Sequence, residues 1–201
     1  MDNRLKLIVG LGNPGAQYQG TRHNAGQDFV ESLAGRFSGD LKTDSKYYGR
    51  LTTIQLGDQS LRLLIPDTFM NRSGKAVAAL SHFFKISAEQ ILVAHDELDM
   101  PAGTAKLKFS GGHGGHNGLR DIISSLGNAR NFYRLRIGIG HPGAADLVSD
   151  YVLSKASADD RIAIQNSIDK AVSVAPDFAQ GNWPQAMQLL HSNDADDQPE
   201  T

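Results

Sequence analysis

The chain has 201 residues, a formal net charge of −2, 40% apolar residues and no cysteine. That length suits one domain with a full core. The cysteine count excludes disulfides and thiolate chemistry, and no apolar run approaches the ~20 residues that cross a bilayer. The opening MDNRLKLIVG carries an acid and lacks the apolar core and cleavage site of a secretory signal, so a reducing cytoplasm is the expected compartment.

Charge is unevenly placed. Residues 1–155 hold 18 Lys/Arg against 14 Asp/Glu (+4), whereas residues 156–201 hold 2 against 8 (−6). Ala102–Arg136 is sharper still, with Lys106, Lys108, Arg120, Arg130, Arg134 and Arg136 against one acid, Asp121. A basic cluster in a mildly acidic protein points to a local anionic partner, most commonly polynucleotide phosphate.

In chain order, Leu5, Leu7, Ile8 and Val9 predict a buried strand that breaks at Gly10. A polar loop follows, carrying Asn13, Tyr18, Arg22, His23 and Asn24. Gly10-Leu11-Gly12-Asn13-Pro14-Gly15 spells G-x-G-x-x-G after a strand, the dinucleotide fingerprint of a nucleotide-dependent oxidoreductase. That fingerprint must open a helix toward the pyrophosphate. Here Pro14 interrupts it and Gly20 follows soon after, so the glycines read instead as a loop that presents side chains.

A helix is expected over Asn24–Phe37, its apolar face formed by Phe29, Val30, Leu33 and Phe37. Ser38–Lys46 is polar and reads as a surface connection. Tyr47–Leu56 and Ser60–Ile65 are β-rich and flank Gly57-Asp58, a hairpin pattern. After Phe69-Met70-Asn71, Ser73 is placed to cap a helix with the stripe Val77, Leu80 and Phe84. Gln90–Ala94 suits a central strand that delivers His95-Asp96-Glu97 at its carboxyl end.

Thr104–Phe109 alternates Ala105, Leu107 and Phe109 inward with Lys106 and Lys108 outward, a strand with both lysines on one face. Ser110–Gly118 is glycine-rich, Leu119–Leu126 helical, and Phe132–Gly140 another strand. Ser157–Phe178, with Ile162, Ile164, Ile168, Val172 and Ala175, and Trp183–Leu190 close the chain as helices. Strands alternating with helices, plus one hairpin, predict an α/β three-layer sandwich whose twisted mixed sheet is flanked by helices. Residues 1–192 read as a single catalytic domain and 193–201 as an acidic, disordered tail.

Three strand-like runs end in polar side chains: Asn13 to His23, Asn71, and His95-Asp96, with His113, His116 and Asn117 added by the glycine loop. A histidine beside an aspartate is the minimum for general-base catalysis. No G-x-S-x-G elbow supplies a nucleophile, which leaves water, and asparagines can hold water or polarise a carbonyl. His113 and His116 suggest a metal pair, but glycines give no rigid ligand spacing and no cysteine assists; neither metal nor cofactor is expected. Each residue alone reads more simply as surface, turn or core. Their joint placement at strand ends shifts the reading toward a site.

Tyr18-Gln19-Gly20-Thr21-Arg22-His23-Asn24-Ala25-Gly26 and Gly111-Gly112-His113-Gly114-Gly115-His116-Asn117-Gly118-Leu119 resemble the two signature stretches of the bacterial peptidyl-tRNA hydrolase family. Phe69–Lys75 and His95-Asp96-Glu97-Leu98-Asp99 resemble its intervening motifs, in the same order, and the likeness runs from about Leu5 to Val152. The resemblance implies an esterase that cleaves the bond between a peptide and the 3′ ribose of tRNA, usually monomeric and needing no metal. On that pattern His23 activates water, Asp96 holds His23, and Asn13 distinguishes an N-blocked ester from a free aminoacyl one. Asn71 and Asn117 contact substrate near the scissile bond beside Met70 and His116, and Tyr18 and Phe69 meet the tRNA 3′ end. Lys106, Lys108 and Arg136 resemble a cationic clamp for the 5′ phosphate. One departure is Ala144-Ala145-Asp146, where many relatives carry a basic residue.

Overall fold

The computed structural model describes residues 4–192. The predicted tail, residues 193–201, lies outside them. Seven strands form one mixed sheet in the order β2-β3-β4-β1-β5-β7-β6. Its centre is β1 (Leu7–Gly10), parallel to both β4 (Gln59–Pro66) and β5 (Ile91–Glu97). β5 continues in parallel to β7 (Tyr133–Gly138), while β6 (Ala105–Phe109) runs antiparallel at that edge. The other edge is β2 (Lys42–Asp44) and β3 (Gly49–Leu56), both antiparallel to their neighbours.

Strand side chains alternate between two cores. Ile8, Leu63, Leu92, Ala94, Leu135 and Ile137 pack under α1 (Ala25–Arg36), α5 (Ala158–Ala179) and α6 (Trp183–His191). Leu7, Val9, Leu64, Ile91 and Val93 pack under α2 (Ser73–Phe84) and α3 (Asn117–Ser125). This is the three-layer α/β architecture the alternation predicted. A Cβ on Gly26 would run into the Ala94 carbonyl oxygen, so only glycine lets the start of α1 sit directly on β5.

Local differences have identifiable causes. Lys42–Asp44 pairs as an edge strand inside the expected Ser38–Lys46 connection, because an exposed edge does not require apolar residues. Ser73 does not cap α2; its hydroxyl donates to the Met70 carbonyl at 2.7 Å, and the Gly74 N–H is taken by Asp121 of α3 at 2.8 Å. Phe109 is not inward but substantially exposed, tilted against Tyr133 at 4.7 Å. Ile162 is exposed as well. The short helix α4 (Val148–Val152) gave no periodic signal. At the β6 edge, the Leu107 N–H donates to His191 Nε2 at 2.9 Å, which ties α6 down. Among the described residues no helix is long and apolar enough to cross a membrane.

Candidate active site

The carboxyl ends of β1, β4 and β5 lie side by side, the place where an open α/β sheet leaves a crevice. A cleft of about 930 Å³ opens there. Asn13, His23, Phe69, Met70, Asn71, Asp96, His116 and Asn117 all line it, with Lys108 and Arg136 farther along. Tyr18 stands at the rim, edge-on to Phe69 with centroids 6.4 Å apart. Lys106 is not in the cleft wall; it pairs with Arg136 across the β6–β7 ladder.

His23 sits in a 3-10 turn, Arg22–Asn24, just ahead of α1. Its Nδ1 lies 2.9 Å from both carboxylate oxygens of the buried Asp96. An ionised carboxylate only accepts, so Nδ1 carries the proton and Nε2 keeps the lone pair. Burial disfavours a charge on His23, but the charge and hydrogen bond of Asp96 outweigh burial and raise its pKa above 6.5. Burial alone would raise Asp96; the two imidazoles beside it, His23 and His116, instead hold it well below the usual carboxylate range.

His116 is the N-cap of α3, its Nδ1 accepting from the N–H groups of Gly118 (3.1 Å) and Leu119 (3.4 Å). Its Nε2 must therefore carry hydrogen, which it donates to Asp96 Oδ1 at 2.8 Å. His95 donates from Nδ1 to the Asp96 carbonyl at 2.7 Å. Burial, then the neighbouring His116, lowers its pKa to about 3, so it stays neutral. Of the two histidines that donate to this carboxylate, only His23 keeps a basic nitrogen, while the bare Nε2 of His95 is buried without a partner among the described residues.

Asn13 is fixed equally tightly. Its Oδ1 accepts from the Met70 N–H at 2.7 Å, leaving Nδ2 as the free donor. Its backbone N–H and C=O are both held by the Asn24 side chain, at 2.8 and 3.1 Å. Asn71 is exposed in the turn Met70–Arg72, and Asn117 opens α3 with its Oδ1 accepting from Arg120 at 2.9 Å. Met70 is buried, and a Cβ on Gly118 would come within 2.6 Å of its sulfur, so α3 also depends on a glycine here.

The basic edge is built from two like-charged cross-strand pairs, Lys106–Arg136 and Lys108–Arg134. Directly opposed like charges repel. Arg136 is offset by Glu97, its Nε donating to Oε2 at 3.0 Å. Arg134 is buried and donates to the carbonyls of Gly111 and Gly112, pinning the glycine loop. The sequence reading assigned no site role to Arg134, Asn24 or His95. Asn24 and His95 lie within motifs that resemble the family's, which was a signal; for Arg134 only tertiary contact reveals the part.

The ligand atoms of His23, Asp96 and His116 all lie within 4.8 Å of one another, the one grouping among the described residues able to gather a cation. His113 is not part of it; its Nδ1 accepts from the Gly115 N–H at 3.0 Å.

A family profile described as peptidyl-tRNA hydrolase matches residues 7–198. The chain belongs to the peptidyl-tRNA hydrolase family. A peptidyl-tRNA hydrolase of Pseudomonas fluorescens is 58% identical over 191 residues, covering 95% of this chain and 98% of the relative. Another, from Teredinibacter turnerae, is 57% identical over 192 residues, covering 96% and 100%. The solved peptidyl-tRNA hydrolase of Acinetobacter baumannii has a TM-score of 0.92 and 49% identity, with 96% of each chain covered. The oxidoreductase alternative falls with this result, and with the fold: after Gly15 comes a 3-10 turn, Ala16–Tyr18, not a helix opening on the glycines.

Proposed function

We infer that the chain hydrolyses the ester between an N-acylated peptide and the 3′ ribose of tRNA, with water activated by His23. One observation carries this reading beyond family membership: His23 Nδ1 is committed to Asp96, and its other nitrogen meets the cleft without a hydrogen-bond partner among the described residues. His23 Nε2 takes a proton from water as the water oxygen bonds to the ester carbonyl carbon. The imidazolium, stabilised by Asp96, then returns the proton to the departing 3′ oxygen. Free tRNA and a peptide carboxylate are the products. Amide donors of Asn71 and Asn117 face the developing oxyanion, and Asn13 Nδ2 takes a peptide carbonyl that a free aminoacyl ester lacks.

Tyr18 and Phe69 offer ring surface to the 3′ end, while Lys106, Lys108 and Arg136 take the tRNA 5′ phosphate. The like-charged ladder supports that assignment, because a bound anion relieves its repulsion. Ala145 lines the same cleft without a charge, so this edge carries one fewer basic contact than many relatives. The reading includes no metal: a cation at His116 would displace the proton fixed by the α3 cap. It also includes a monomer acting in the cytoplasm, where tRNA substrates are. Release of tRNA from N-acetyl-aminoacyl-tRNA by the purified protein tests it, with free aminoacyl-tRNA as the comparison. No release of tRNA from the blocked ester would refute it.

A further inference from the structure

Arg22 stands beside the catalytic histidine yet faces away from the carboxylate, toward α4. Its Nη1 lies 2.7 Å from Ser154 Oγ, 3.1 Å from the Lys155 carbonyl, 3.2 Å from the Tyr151 carbonyl and 3.4 Å from that of Ser154. Its guanidinium carbon rests 3.9 Å above the Tyr151 ring. The Tyr151 hydroxyl in turn donates to the Ile139 carbonyl at 2.6 Å. The backbone doubles the tie, since the Arg22 N–H donates to the Ser154 carbonyl at 3.1 Å and Thr21 bridges Lys155.

A cation suits the carbonyl end of a helix, and Arg22 supplies one here beside the Ser154 N–H and hydroxyl that the Tyr151 carbonyl already accepts from at 3.2 and 2.8 Å. A solvated surface arginine would not converge on acceptors 129 to 133 positions away in sequence. What the knot joins matters more. On one side is the three-residue turn that carries His23. On the other, α4 and the residue after it contribute Val148, Ser149, Val152 and Leu153 to the cleft wall. The turn's other anchors, Asn24 on Asn13 and α1 on β5, both act from the sheet side. Arg22 is the side-chain anchor toward α4.

We propose that Arg22 is a positioning residue, locking the cleft wall to the catalytic turn so that His23 keeps its Nδ1–H on Asp96 and its Nε2 free. The proposal rests on the assignment of His23 as the base. A displacement of about 1 Å at such a group costs on the order of 10²-fold in rate, so a partial loosening has a readable effect.

The test compares three variants. Arg22→Met keeps a stem over Tyr151 and removes every side-chain hydrogen bond. Arg22→Lys restores the cation and its donors, and Ser154→Ala removes the 2.7 Å bond, together with the Ser154 hydroxyl's own 2.8 Å bond to the Tyr151 carbonyl, without altering Arg22. On N-acetyl-aminoacyl-tRNA, Arg22→Met should lower kcat about 10-fold with KM within roughly 3-fold, the pattern of a lost transition-state arrangement. Ser154→Ala should show a smaller loss in the same direction, and Arg22→Lys should recover most of kcat. Nitrogen–proton correlation spectra of the imidazoles should show His23 as the Nδ1–H tautomer in the unaltered protein and as a mixture in Arg22→Met. Unchanged kcat and tautomer with only a lower Tm would reduce Arg22 to a brace and overturn the proposal. A rise in KM alone would overturn it too. Should Arg22→Met fail to fold, wild-type kcat and imidazole signals in Ser154→Ala would do the same. Inactivity of the unaltered protein would refute the esterase reading instead, while the imidazole spectra would still report on Arg22.

Discussion

Asp96 keeps its charge in a nearly dry setting because two imidazole N–H groups share it, and only one of those rings retains a basic nitrogen. That asymmetry gives the residue-scale predictions their direction. His23→Ala should cut ester hydrolysis by at least ~10²-fold, the low end for a positioned general base, while tRNA binding survives; turnover and equilibrium binding on the same blocked ester check both halves. Asp96→Asn should cost less, since it preserves shape and removes charge. It should also move the acid limb of the kcat/KM profile. In the proposed mechanism His23 acts neutral, and Asp96 raises its pKa above 6.5; without that carboxylate burial dominates, and the limb should fall to lower pH.

Asp28, on α1, gives a separate pH test. Burial, then the charge of Glu31, raises its carboxyl from 3.8 to about 7. A raised acid binds more protons folded than unfolded, so stability declines as pH rises from about 4 to about 7. Asp28→Asn should therefore raise Tm clearly at pH near 8 and little near 4, as thermal unfolding across that range would show. A uniform gain at every pH would exclude titration of Asp28 as the cause.

At the scale of elements, strands and helices with strong periodicity were legible before any coordinates, as were the motifs carrying His23, Asp96, Asn13 and Asn117. What escaped has a common cause. Polar β2 forms only because β3 offers it a partner, Ser73 yields its capping role to Asp121 from a different helix, and Arg22 finds its acceptors at the end of α4 and just beyond it. Such features are settled by contacts between distant segments, which periodicity does not encode. The β6–β7 edge is the reverse case, since the period-two pattern alone put both lysines on one face. Lys108→Ala should weaken tRNA binding more than cleavage of a minimal N-acyl aminoacyl nucleotide, and lower the slope of log affinity against log salt by about one. Arg136→Ala should act in the same direction but less simply, because it also releases Glu97. An unchanged salt slope in both variants would remove them from the tRNA surface.

Across the whole molecule, charge is sorted rather than balanced. The acids Asp194, Asp196, Asp197 and Glu200 fall within the last nine residues, which contain no Lys or Arg. Removing these residues changes the formal net charge from −2 to −2 − (−4) = +2. The residues that line the cleft and build both cores, as described, fall within 4–192. Deletion of 193–201 should therefore leave Tm and the rate of blocked-ester cleavage nearly unchanged at physiological ionic strength, where exposed charges are screened within about 8 Å. At low salt the truncated protein should associate with tRNA somewhat faster, because net charge steers encounters when screening is weak. Stopped-flow association at two salt concentrations, alongside a melting curve, separates these effects. A large loss of Tm or cleavage on truncation would show instead that the acidic segment belongs to the folded unit.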